Sequence, residues 1–222
     1  TIPPATVRLG QAMRFSFLLE KTIVDMTYEV VEFRSGGQLI FLRFQNPTPG
    51  IWRLKIRNVI YINGIFHLWL PITGFISPGT VFLSPNPYTT LTSPSDADTA
   101  LTVSAYDTYQ NSLFINSSRG YTRTNQIKPD IAAPGVNVYG PVSGNQFSTR
   151  TGTSNSAAIA AGAVALLVNW GLNQTVPRVL SPAEVKNYIK RGASRSDDLS
   201  YPNREYGFGT LDLYNAFSTF IG

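Results

Sequence analysis

The segment Thr151-Gly152-Thr153-Ser154 places a serine hydroxyl at the mouth of a helix, where nucleophilic chemistry has physical support. Glycine lets the backbone turn tightly before the helix. A helix N-terminus offers unpaired N–H groups and a positive dipole end to a developing oxyanion. The same residues also serve as a simple helix cap, and on these four alone both readings stay open. A serine hydroxyl is a weak nucleophile without a base beside it to take its proton. The only histidine is His67, in Gly64-Ile65-Phe66-His67-Leu68-Trp69-Leu70. Its neighbours alternate like a strand, and Asn63-Gly64 is hairpin-turn chemistry. His67 and Phe66 then face opposite ways, which reads as a surface or half-buried strand histidine rather than the base for Ser154.

The carboxylates offer less. Asp96 and Asp98 precede a short strand pattern, and Asp197-Asp198 follows a helix pattern. Paired carboxylates could bind calcium, but no EF-hand spacing surrounds these, so solvated loop charges are the expectation. With no cysteine, disulfides, thiolate zinc sites and a Cys nucleophile are excluded. No cofactor or metal site is expected. The Arg53, Lys55, Arg57 set reads as the wet side of a strand. Asn116-Ser117-Ser118 and Asn173-Gln174-Thr175 match a glycosylation pattern too common to use.

Composition narrows the class further. Hydrophobic residues make up 43% and charged residues 14%, against about 25% charged in an average globular protein. That excludes a disordered chain and a charge-rich coiled coil. The net charge is +5, but the 18 Lys and Arg are scattered, with only Lys190 and Arg191 adjacent, which argues against nucleic-acid binding. The longest apolar run, Ala157 to Val168, is shorter than the roughly 20 residues of a membrane helix, so no membrane span is expected. No basic region followed by an apolar one opens the chain, so no signal peptide is expected.

Two textures divide the sequence. Met13–Leu19, Ile23–Arg34, Gln38–Gln45, Ile51–Asn58 and Val59–Pro71 are aromatic and β-branched, split by turn residues such as Gly36-Gly37 and Pro47-Thr48-Pro49-Gly50. Trp52-Arg53-Leu54-Lys55-Ile56-Arg57 alternates with period two, the clearest strand pattern in the chain. Such a series predicts an all-β jelly roll or β-sandwich over residues 1–88. A Pro/Ser/Thr-rich junction runs from Ser84 to Ser95. After it, Ala100–Tyr106 reads as a buried strand and Asn111–Gln126 as polar loop. A helix of small residues opens at Ser154 and runs to Trp170, stopped by Gly171. A second helix starts with Ser181 as N-cap, Pro182 at the first position and Glu184 completing a capping box, and ends at Gly192. Residues 89–222 are therefore expected to be α/β.

Five ordered motifs carry a resemblance. Thr102-Val103-Ser104-Ala105-Tyr106-Asp107 looks like a "VGA" core strand, and Ser117-Ser118-Arg119-Gly120 like an "S-S-x-G" loop. Lys128-Pro129-Asp130-Ile131-Ala132-Ala133-Pro134-Gly135-Val136 precedes Gly152-Thr153-Ser154, and Tyr206-Gly207-Phe208-Gly209 closes the series. Together they resemble the subtilisin-like serine proteases. The order also resembles the clostridial Csp germination proteases, which carry a jelly roll inserted before this part of the catalytic domain. Typical members read G-T-S-M-A-A-P-H, whereas Asn155, Ala158 and Ile159 stand in place of the Met, Pro and His.

The resemblance implies a subtilisin-like catalytic half at 89–222 behind an inserted β-sandwich at 1–88. Ser154 would be the nucleophile of a serine endopeptidase acting on protein or peptide, with its own backbone N–H in the oxyanion hole. Asp130 would be structural. No D-T-G-I, H-G-T-H or A-x-G-N segment occurs here. The triad Asp and His and the oxyanion Asn would then come from an N-terminal remainder of the same protease, and this chain alone would be inactive. Two rivals stand beside this reading. One is a pseudoprotease that keeps the fold as a partner or sensor. The other is a β-sandwich module that binds glycan or protein through exposed aromatics such as Tyr61 or Trp69. The family implies a secreted or spore-associated setting.

Overall fold

The computed structural model of the chain describes residues 7–32, 37–57, 65–71 and 74–221. The chain forms two compact units, Thr1–Phe66 and His67–Gly222.

In the first unit, β1 (Ala12–Phe17), β2 (Thr22–Glu32) and β3 (Gly37–Gln45) form an antiparallel meander in the order β1-β2-β3. Phe15 lies opposite Val24, and Val24 opposite Phe44. Side chains alternate between the faces of a sheet, so these three share one face with Phe17 and the buried Thr22. Trp52 covers that face. Its ring meets Phe17 and Phe44 edge to face, each at 5.3 Å, and its indole N–H donates to the Thr48 carbonyl at 3.1 Å. On the other face Asp25 accepts from Arg14 Nε and Gln45 Nε2, both at 2.6 Å.

The expected strand at Ile51–Asn58 is not found: residues 51–57 join no ladder, and Arg53, Lys55 and Arg57 are simply exposed. Period-two alternation fits any extended segment. Here Trp52 lays its ring against the sheet instead of pairing at its edge. Residues 65–71 of the expected strand Val59–Pro71 also join no ladder. Arg34, Gly36, Asn58, Tyr61 and the Asn63-Gly64 turn lie outside the described residues. The facing sheet that a sandwich requires is not among the described residues.

The second unit is α/β. β4 (Val103–Asp107) runs parallel to β6 (Ile131–Pro134), with Val103 opposite Ile131, and β5 (Ser112–Leu113) pairs antiparallel on the outer side of β4. Thr210 forms a parallel bridge to Ala132 on the free edge of β6. A separate ribbon joins β7 (Val138–Val142) to β8 (Gln146–Arg150). Three helices follow: α1 (Thr153–Leu172), α2 (Pro182–Gly192) and α3 (Leu213–Ile221). Parallel strands need covered faces, and α1 packs on β4 and β6. Its buried residues Ser156, Ala160, Ala163, Leu167 and Gly171 recur at helical spacing. Ile131, Leu167, Leu180, Val185, Ile189 and Ala216 complete the core.

α1 outruns the apolar stretch that sequence alone marks. It has 20 residues, and its most apolar stretch of 18 has a mean hydropathy of 1.4, long and apolar enough to cross a bilayer by length and composition. One stripe of it is nevertheless buried on the sheet. Nor does Gly171 stop it: the helix continues to Leu172, and the Gly171 carbonyl receives the Arg178 N–H at 2.9 Å from the returning chain.

α2 matches its expected bounds. Ser181 Oγ accepts from the Glu184 N–H at 3.3 Å, and the Glu184 carboxylate accepts from the Ser181 N–H at 2.9 Å. The Ser181 N–H and the Ser181 hydroxyl, which also donates to the Glu184 carboxylate at 2.9 Å, are joined by Arg178 in holding the Glu184 carboxyl down at about 2. Ser181→Ala removes the cap and should lower stability by about 1 kcal/mol. A urea midpoint identical to wild type would show that the box contributes nothing.

Candidate active site

The five motifs converge on β6. Asp130 is fully buried just before the strand. Its backbone N–H donates to the Thr102 carbonyl at 2.8 Å, and its Oδ2 receives the Thr102 N–H and Lys128 Nζ, both at 2.8 Å. Oδ1 faces Lys190 Nζ at 2.7 Å and Lys186 Nζ at 3.3 Å, as ion pairs rather than aligned hydrogen bonds. Burial pushes the Asp130 carboxyl up, but Lys128, Lys190 and the Thr102 N–H outweigh it and hold the group below the usual carboxylate range. Burial and the neighbouring Lys128 push Lys186 down, against the pull of Asp130. One carboxylate thus ties the starts of β4 and β6 to α2.

The remaining motifs dock on the same strands. Ser117 Oγ accepts the Ala105 N–H at 3.0 Å, which ties the Ser117–Gly120 loop to β4. The Phe208 N–H donates to the Asp130 carbonyl at 2.9 Å, and the Leu211 N–H to the Ala132 carbonyl at 2.7 Å. The closing Tyr206–Asp212 segment therefore lines β6 opposite β4.

Beyond β6 the chain is clamped to the start of α1. Ser156, fully buried, donates from Oγ to the Ala133 carbonyl at 3.0 Å, with the Pro134 carbonyl at 3.1 Å. The Gly152 N–H donates to the Gly135 carbonyl at 2.8 Å, and the Asn137 N–H to Thr151 Oγ1 at 2.9 Å. Gly152 is the N-cap residue at φ 159° and ψ 158°, a combination that is essentially glycine's own. Ser154 is consequently the second residue of the helix and not its cap. It is exposed, and its hydroxyl has no hydrogen-bond partner among the described residues. Its N–H belongs to the first turn, which has no partner within the helix. The hydroxyl and an adjacent free N–H stand together at the positive end of α1, just past the C-terminal end of β6. That pairing can serve acyl transfer: a nucleophile and an oxyanion donor on one residue.

Gly135 makes the clamp possible. A Cβ there would lie 2.4 Å from Ser156 Oγ and 2.6 Å from the Ala105 Cβ. Gly135→Ala should push the first turn of α1 off β6, cost about 1–3 kcal/mol by overpacking and suppress any reactivity of Ser154. Undiminished labelling of Ser154 by a serine-directed probe would show that the clamp does not set its position.

The other sequence candidates lie elsewhere. His67 stacks on Trp69, with centroids 5.4 Å apart, and the Trp69 indole donates to the Thr89 carbonyl at 3.0 Å. Among the described residues no hydrogen bond joins His67 to Ser154. Asp96 accepts from Ser93 Oγ at 2.8 Å, and Asp98 from the Gln126 amide. Sequence reading missed three features: the lysines of α2 that reach Asp130, the Ser156 tie, and the β7–β8 ribbon. Only the ribbon had a local cue, the turn residues Ser143-Gly144-Asn145 between Val142 and Gln146.

The family model described as the subtilase family, peptidase S8, matches residues 77–209. Serine protease AprX of Bacillus subtilis is 32% identical over 147 residues, covering 57% of this chain and 31% of its own length. The C5a peptidase of Streptococcus pyogenes is 29% identical over 207 residues, covering 90% of this chain and 16% of that protein. Among solved structures, the Clostridium perfringens CspB protease superposes with a TM-score of 0.61 at 34% identity, over 64% of this chain and 31% of that one. The chain spans about a third or less of the length of these relatives.

Proposed function

Because the chain belongs to the subtilase family, we propose that it is the serine-bearing part of a subtilisin-like serine endopeptidase, with Ser154 as nucleophile. The observation that carries this reading is the placement of an exposed, unbonded Ser154 hydroxyl beside its own unpaired N–H at the start of α1. In the intact protein Ser154 Oγ bonds to the scissile carbonyl carbon and gives its proton to a histidine supplied upstream. The carbonyl oxygen, now an oxyanion, accepts from the Ser154 N–H and from an upstream asparagine. The histidine then protonates the leaving amine as the C–N bond breaks, and water releases the acyl group from Ser154. Protein or peptide is the substrate. Residues 1–88 are proposed as an inserted β-sandwich, supported by the wholly antiparallel β1–β3, and residues 89–222 as the catalytic half.

The test compares the intact protein with residues 1–222 alone on a mixed peptide library. Hydrolysis by the intact protein and none by 1–222 is the expected pair of results. An intact protein that cleaves nothing and lacks an upstream histidine would replace this reading with a catalytically dead partner or sensor.

A further inference from the structure

The first turn of α1 is tied to the sheet by one side chain. Residues advance by about 100° and 1.5 Å along a helix, so two positions on from Ser154 a side chain faces the opposite way. Burial agrees: Ser154 is exposed, and Ser156 is fully buried against the end of β6. Its hydroxyl donates to the Ala133 carbonyl at 3.0 Å and stands 3.1 Å from the Pro134 carbonyl. Among the described residues, no other side chain in the first half of α1 hydrogen-bonds to a strand. In the typical G-T-S-M-A-A-P-H order this place holds an alanine, which has no hydroxyl to offer.

The rest of the interface fixes α1 less sharply. Beyond Ser156 the buried stripe continues through Ala160 and Ala163, small apolar side chains whose contacts carry no direction. A hydroxyl bonded to two carbonyls does carry one, because it holds only within a narrow distance and angle. Room for that hydroxyl comes from Gly135, where a Cβ would lie 2.4 Å from Ser156 Oγ. On the far side of the same turn, small displacements matter. An oxyanion donor acts at about 2.7–3.1 Å from the oxygen it stabilises, and about 1 Å of misplacement costs roughly a hundredfold in rate. Ser154 lies only about 3 Å along the helix axis from the tie.

We propose that Ser156 is a positioning residue for the hydrolysis: its hydroxyl, anchored on the end of β6, sets where Ser154 and its N–H meet the scissile carbonyl. The proposal rests on Ser154 as nucleophile and deepens that reading. Ser156 itself is buried and touches no substrate; it holds the turn from the inside.

The test uses the intact protein as wild type, Ser156→Ala and Ser156→Cys, the last filling the place with a thiol that donates only weakly. A fluorophosphonate labels each protein, the adduct on Ser154 is counted by mass spectrometry, and the rate is read per labelled site. A peptide that wild type cleaves supplies kcat and KM. Both variants should reach full labelling of Ser154 about 10- to 100-fold more slowly, with kcat reduced to match and KM within about twofold. A purely structural serine would instead leave fewer sites labelled, each at the wild-type rate, and that result overturns the proposal. So does a wild-type rate in Ser156→Cys, which would make filled volume the cause, and so does a Ser156→Ala protein that fails to fold. Wild type that takes no label on Ser154 removes the nucleophile reading and this one with it. Labelled wild type with unaltered variants removes only this one.

Discussion

Ser154→Ala in the intact protein is expected to lower the rate of peptide hydrolysis by about 10⁵- to 10⁶-fold. That corresponds to about 7–8 kcal/mol of transition-state stabilisation. The KM for peptides should change little, because the hydroxyl acts on the carbonyl carbon and adds little to ground-state binding. Stability should change little as well. The N-cap is Gly152, and the Ser154 hydroxyl makes no hydrogen bond among the described residues, so nothing in the fold is lost with it. This separates nucleophile from cap: a capping serine replaced by alanine costs about 1 kcal/mol of stability and leaves chemistry intact. Hydrolysis near the wild-type rate with a lowered unfolding midpoint would reverse the assignment.

Asp130→Asn should have the largest effect on stability. Three lysine ammonium groups face this one buried carboxylate, two of them within 2.8 Å. Removing its charge leaves Lys128, itself almost fully buried, without its counterion. Breaking a buried pair in this way costs about 3–5 kcal/mol, a large part of the roughly 5–15 kcal/mol that holds a domain folded. The loss should reach the active site, because Asp130 leads directly into β6 and β6 carries the clamp on α1. Adding Lys128→Met should recover part of it by removing the stranded charge. The pH dependence has a definite sign. Native contacts hold the Asp130 carboxyl below its ordinary value, so its contribution is complete above the unfolded carboxylate pKa of about 4. It is lost as pH falls from there through the lowered native value. Wild type should therefore lose stability on acidification below about pH 4, and Asp130→Asn should show a flatter acid limb. Equal acid limbs and a loss under 1 kcal/mol would make Asp130 a bystander.

Much of the second unit was legible because single residue types there answer to single physical demands. Ser181, Pro182 and Glu184 are a capping box and little else, and α2 starts where they place it. The Lys128–Gly135 segment was legible through its resemblance to the subtilisin-like proteases; the buried charge of Asp130 and the close approach at Gly135 came only with the structure. The alternating Trp52–Arg57 stretch misled because period two describes extended backbone, whether or not a partner strand is present. Gly171 misled for a related reason: it looks like a helix stop, but here it lies within the last turn of α1. Lys186 and Lys190, four residues apart on α2, give no local hint that they reach a carboxylate more than fifty positions earlier. Only the packing of α2 on the sheet brings them there.

The central claim is that Ser154 is an activated nucleophile. The most direct measurement treats the intact protein with a fluorophosphonate and maps the adduct by tandem mass spectrometry. The account predicts a single adduct on Ser154, with the other serines unmodified, Ser156 included. No adduct, or an adduct on any other residue, would contradict it.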